Sequence, residues 1–120
     1  MFKIGIDVDN TISAYPDVFS KLTLALSAFF EIHIITYREN REETVLYLKK
    51  MNIKYDKLAL VDNKEDYILK NNIKLFIDDT DEFFQNLPQD ICVLKIREDG
   101  NFDFNDKKWI YAAKTGRTID

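Results

Sequence analysis

Short apolar runs alternate along the chain with longer stretches in which apolar residues recur every three or four positions. The runs are Phe2 to Val8, Glu31 to Tyr37 (with Ile32, Ile34 and Ile35), Lys57 to Val61, Lys74 to Ile77 and Ile91 to Ile96. Each is short and rich in Ile, Val and Leu, which predicts strands covered on both faces. The longer stretches predict helices. Pro16 suits the first turn of a helix to about Phe29, because its missing N–H is not needed there. Val18, Leu22, Ala25, Leu26 and Phe29 give that helix its apolar spacing. Glu39 to Met51 sets Val45, Leu48 and Met51 on one side and starts with acidic residues, where the helix dipole favours them. Lys64 to Lys70 and Asp81 to Asn86 read as shorter helices.

Strand–helix alternation of this kind predicts an α/β fold, a three-layer sandwich around a mainly parallel five-stranded sheet with right-handed crossovers. Ligands in such sheets bind beyond the carboxyl ends of the strands. No repeat or internal boundary interrupts the pattern, so residues 1–120 read as one domain. Arg97 to Asp106 is polar and turn-rich, and Lys107 to Ala113 fits helix or strand equally well. The tail sets Lys107, Lys108, Lys114 and Arg117 near Trp109 and Tyr111.

Composition narrows the picture. Hydrophobic residues are 46% of the 120 and aromatic ones 13%, enough for a core, and three Gly with two Pro leave no flexible linker. A formal charge of -4 argues against broad electrostatic binding to nucleic acid, though it allows a local basic patch. The single Cys92 has no internal partner and reads as a small buried hydrophobe in a reducing compartment. No basic segment leads into an apolar leader, and no run nears the ~18 apolar residues of a membrane span. A cytoplasmic protein without membrane contact is expected.

The acidic residues fall where the strands end. Asp7 and Asp9 follow the first strand, Thr36 ends the second, Asp62 and then Lys64 follow the third, and Asp78 and Asp79 end the fourth. A parallel sheet gathers all of them at one edge. Carboxylates that close raise one another's pKa values unless a cation joins them. Magnesium suits the place, being a hard cation that takes oxygen ligands and pairs with phosphate. Some of these residues have plainer roles open to them. Thr36 fits a buried strand threonine, and Asp79 with Glu82 resembles a helix capping box. Lys70 rivals Lys64 as the functional lysine, but the dipole already explains a cation near a helix C-terminus. His33, between Ile32 and Ile34, reads as structural.

The same residues carry a family resemblance. Phe2 to Thr11, ending in Asp7-Val8-Asp9-Asn10-Thr11, resembles the first motif of the haloacid dehalogenase superfamily, an apolar strand followed by Asp-x-Asp-x-Thr. Ile34-Ile35-Thr36 resembles the second motif, Lys64 the third-motif lysine, and Leu75-Phe76-Ile77-Asp78-Asp79 the fourth. The resemblance spans Phe2 to Asp79 and keeps the family's motif order. It implies a phosphatase in which Asp7 is the covalent nucleophile and Asp9 the general acid and base. It further implies that Thr11, Thr36 and Lys64 serve the phosphoryl group, and that Asp7, the Asp9 carbonyl, Asp78 and Asp79 serve Mg2+. An Asp at position 9 favours phosphatases over the dehalogenase branch.

Many phosphatases of this superfamily carry an inserted cap domain. Ile12 to Glu31 and Tyr37 to Lys57 each have room for one helix and no cap, so an open site with an exposed nucleophile is expected. Thr36-Tyr37-Arg38-Glu39 resembles the corresponding segment of polynucleotide 3′-phosphatases, and capless nucleotidase-like members share the layout. Tyr37 and Arg38 would then contact a nucleotide or nucleic-acid end. Two alternatives stand beside that reading: a phosphate- and metal-binding regulatory module without turnover, and an oligomeric sugar-phosphate phosphatase whose site a neighbouring subunit closes.

Overall fold

The computed structural model describes residues 1–84, 86–97, 102–103, 107–110 and 118–119. Five strands, β1 (Phe2–Ile6), β2 (Phe30–Thr36), β3 (Lys57–Leu60), β4 (Leu75–Asp78) and β5 (Cys92–Lys95), form one sheet in the order β3-β2-β1-β4-β5. Every neighbouring pair is parallel. Helices α1 (Pro16–Leu26), α2 (Arg41–Lys50) and α3 (Lys64–Lys70) occupy the first three crossovers. Phe19 of α1 and Leu48 of α2 pack with Ile4, Ile6, Ile32 and Ile34 in one core cluster. Ile68 of α3 joins Ile35, Ile73, Phe76 and Ile91 in a second. The helices thus cover opposite faces of the sheet, which makes three layers.

The strand order reverses direction between β1 and β4. Register there is tight: Ile4 lies beside Leu75 and Ile6 beside Ile77, and the Asp7 N–H donates to the Ile77 carbonyl at 3.0 Å. The two strands therefore deliver Asp7 and Asp78 side by side, at the crevice where open parallel sheets bind ligands.

Several sequence expectations shift. β1 stops at Ile6, and Val8–Ile12 forms a tight turn instead of more strand. α1 ends at Leu26, and its buried side chains are Phe19 and Thr23, with Leu22 and Leu26 beside the core. Val18 and Phe29, expected inside, are 56% and 73% exposed. α2 likewise buries Thr44 and Leu48 while Val45 stays exposed. One residue of phase separates the two faces. In α1 the Thr23 hydroxyl donates to the Phe19 carbonyl at 2.7 Å, so a polar residue can fill the buried stripe.

Asp81 to Asn86, expected as a helix, holds a 3-10 turn at Asp81–Phe83 with no side-chain cap bond. β5 is exposed along its length, and Cys92 is an exposed thiol, not a buried one. In the tail, β6 (Phe102–Asp103), β7 (Lys108–Ile110) and β8 (Thr118–Ile119) make a second, antiparallel sheet. That settles strand over helix at Lys108–Ile110. Tyr111, Lys114 and Arg117 lie outside the described residues. No helix among the described residues is long and apolar enough to cross a membrane.

Candidate active site

The turn after β1 builds the first half of the site. Asn10 adopts φ 64, a left-handed conformation that Asn tolerates better than most residues. Its N–H donates to the Ser13 hydroxyl at 2.8 Å. This reversal brings Thr11 back under Asp7, and the Thr11 hydroxyl lies 3.0 Å from Asp7 Oδ2 and 3.5 Å from Asp79 Oδ1. Thr11 is fully buried, with its hydroxyl toward these carboxylates.

α3 supplies the cation. The Asn63 side chain caps this helix by accepting from the Asp66 N–H at 3.0 Å, which sets Lys64 at its first position. Lys64 Nζ then donates to Asp7 Oδ1 at 2.7 Å and to Asp78 Oδ2 at 2.8 Å. Lys70, the rival, is exposed at the far end of the helix. Tyr37 and Phe83 meet edge to face at 5.2 Å and roof the lysine, their ring centres 4.8 and 4.9 Å from its ammonium. Asp7 is 4% exposed, which corrects the expectation that its side chain stands exposed at an open edge.

Asp78 Oδ1 accepts from the Asp79 and Thr80 N–H groups at 2.6 and 3.2 Å. Its other oxygen takes the lysine, so Asp78 is fixed at both ends. One oxygen from each of Asp7, Asp78 and Asp79 lies within 4.8 Å of the others. All three residues are buried, and so is Lys64.

The electrostatics follow from that ratio. Burial and then the Asp78 charge push the Asp7 carboxyl well above the usual carboxylate range, and Lys64 offsets this only in part. Burial raises Asp78 to about 6 despite the same lysine. Burial disfavours the Lys64 ammonium, yet the charges of Asp7 and Asp78 outweigh it and hold its pKa above the ordinary value. The directions agree once the lysine is seen as shared: it is satisfied twice, while each carboxylate gets part of one charge. With all three carboxyls ionised, one buried ammonium would leave the site two positive charges short, which is why the protons are held so tightly. The donor set is all oxygen and suits a hard divalent cation. At ~2.1 Å from each ligand, magnesium needs oxygen pairs no farther apart than roughly 4.2 Å, somewhat closer than the 4.8 Å within which these three lie.

Asp9 stands apart from this cluster. Its carboxylate is 56% exposed and is held by Arg38, with Nη2 donating to Oδ1 at 2.8 Å and Nε reaching both oxygens at 3.2 Å. The pairing raises the Arg38 pKa further. The guanidinium lies 4.7 Å over the Tyr47 ring. The Arg38 N–H donates to Thr36 Oγ1 at 3.1 Å, which ties the end of β2 to the same arm. Thr36 itself is fully buried.

The sheet edge thus joins Asp7, Thr11, Lys64, Asp78 and Asp79 in one buried cluster, with Tyr37 above it. Asp9 and Arg38 form a second, exposed unit beside it. Asp62 is exposed and outside the cluster. Sequence reasoning missed Phe83 and Tyr47. Phe83 had no periodic signal in so short a turn, whereas Tyr47 could have been found from its place one turn before Met51 on α2. His33 is buried, its ring nitrogens pairing with Tyr67 Oη and Glu31 Oε2.

Comparison of the chain with protein-family models, with curated proteins and with solved structures finds no match in any of the three.

Proposed function

We propose that the chain is a magnesium-dependent phosphomonoester hydrolase of the haloacid dehalogenase type, without a cap domain, working through an aspartyl phosphate on Asp7. The observation that carries the reading is the buried set Asp7, Asp78 and Asp79 around one lysine at the β1–β4 switch point. A cluster this short of positive charge suits a bound cation and a site where negative charge is handled.

In the proposed reaction an Asp7 carboxylate oxygen attacks phosphorus as the ester P–O bond breaks. Asp9, parted from Arg38 and protonated from solvent as substrate binds, gives that proton to the leaving oxygen, then takes one from the water that attacks the aspartyl phosphate. Phosphate leaves and Asp7 is regenerated. Lys64 moves from its carboxylate partners toward the phosphoryl oxygens, and Thr36 supplies a hydroxyl once substrate parts the Tyr37–Phe83 roof. Thr11 and the Asp79 and Thr80 N–H groups keep Asp7 and Asp78 in place throughout. Asp7, Asp78, Asp79 and the Asp9 carbonyl would hold magnesium, which when bound screens Asp7 from the phosphate and favours in-line displacement. An exposed lone thiol at Cys92 suits a reducing compartment such as the cytoplasm.

The test is release of phosphate from p-nitrophenyl phosphate. It is expected only with magnesium or a like cation, and to be lost in Asp7→Asn with the circular dichroism spectrum intact. Folded protein that is inactive across divalent metals would overturn it. One observation favours a second reading, a phosphate- and metal-binding module without turnover: Arg38 holds both oxygens of the general acid. That reading predicts magnesium and orthophosphate binding by calorimetry with no hydrolysis.

A further inference from the structure

A groove of about 860 Å³ opens beside the site between the end of β2 and the α3 side of the sheet. A smaller hollow of about 200 Å³ reaches Lys64 itself. Tyr37, Asp62 and Asn63 line both, so the groove runs up to the hollow at Lys64.

Its chemistry is specific. Glu39, Asp62 and Asp66 place three carboxylates along it, against the cations of Arg38 and Lys70. Arg38 is already bound at both oxygens of Asp9. Lys70 is then the one remaining cation among the described lining residues, facing three acceptor-only carboxylates. A second phosphate or a nucleic-acid backbone would meet net repulsion there. Hydroxyl groups would not, since each can donate to a carboxylate.

Aromatic walls complete the groove. Tyr67 lies in it with its hydroxyl turned inward to His33 Nδ1 at 2.7 Å. His33 is fully buried and its other nitrogen is held by Glu31. The Tyr67 ring is therefore pinned to the sheet by β2 and offers a fixed apolar surface. Tyr37 gives another at the reaction end. Rigid aromatic rings with carboxylates and the Asn63 amide suit an uncharged, hydroxyl-bearing ring.

Resting on the phosphohydrolase reading, we infer that the groove selects monoesters whose leaving group is neutral and hydroxyl-rich, such as a sugar or nucleoside, and rejects leaving groups that carry further phosphates. The Glu31–His33–Tyr67 chain, buried at its centre on His33, is part of this selection, because it fixes one wall.

Initial rates on matched pairs test it: a hexose monophosphate against the corresponding bisphosphate, and a nucleoside monophosphate against a phosphate-ended oligonucleotide. p-Nitrophenyl phosphate serves as the common reference. The monophosphate of each pair is expected to have kcat/KM at least about tenfold higher, with the gap shrinking as salt rises. Asp62→Asn combined with Asp66→Asn, both exposed, is expected to raise kcat/KM for the bisphosphate. Equal or faster turnover of the bisphosphate and the oligonucleotide would overturn the inference and leave the phosphohydrolase reading standing. So would hydrolysis of p-nitrophenyl phosphate with neither monophosphate turned over. Failure on p-nitrophenyl phosphate itself would remove the parent reading and this one with it.

Discussion

Lys64 bridges Asp7 and Asp78 at 2.7 and 2.8 Å, and all three residues are buried. Removing one partner of a buried ion pair leaves uncompensated charge, so Lys64→Met should cost about 3–5 kcal/mol of stability in metal-free protein. Urea unfolding measures this, and added magnesium should recover part of the loss. Arg38 is the opposite case. It and Asp9 are both partly exposed, so Arg38→Ala should shift stability by no more than ~1 kcal/mol. Its effect belongs in the rate: freeing Asp9 should change kcat by about tenfold or more, since a positioned acid contributes ~10²-fold or more. An unchanged kcat would show that Arg38 does not position Asp9. At this scale the sequence was informative about residue types and less so about their partners. Asp7, Lys64 and Asp78 were legible because acids and a lysine at successive strand ends converge in any parallel sheet. The Thr11 contact with Asp7 was not legible, because nothing local reveals the left-handed Asn10 that folds it under Asp7.

The elements were legible in kind and order, and less so in phase. All five parallel strands and the first three helices were anticipated, since their apolar runs are separated by stretches of helical length. The buried face of α1 was misread because Phe19 and Thr23, not Val18 and Ala25, point inward. A threonine on a buried stripe carries no hydropathy signal, yet its hydroxyl is satisfied within the helix. Thermal or urea unfolding distinguishes the two faces. Phe19→Ala should cost about 3–5 kcal/mol, whereas Val18→Ala should stay within ~0.5 kcal/mol. Comparable losses at both positions would put the helix in the expected phase after all. The fifth strand was read as buried on both faces from its composition alone. Its edge position, which composition cannot report, leaves it exposed.

For the whole molecule, the charge shortfall at the switch point couples folding, protons and metal. Folded Asp78 keeps its proton up to about pH 6, against 3.8 for an unperturbed carboxyl. The folded state therefore carries the extra proton across that window, and this group makes metal-free protein less stable as pH rises through it. Denaturant titrations at stepped pH should show that fall. Saturating magnesium, which takes the proton's place, should flatten or reverse it and raise stability with concentration. The central claim is that Asp7 itself forms a bond to phosphorus. Acid-quenched turnover of a phosphomonoester in the presence of magnesium, followed by peptide mapping of the wild-type chain, tests it most directly. The account predicts an acyl phosphate on the peptide containing Asp7 and none in Asp7→Asn. Turnover with no adduct on that peptide, or with the adduct on another residue, would contradict it.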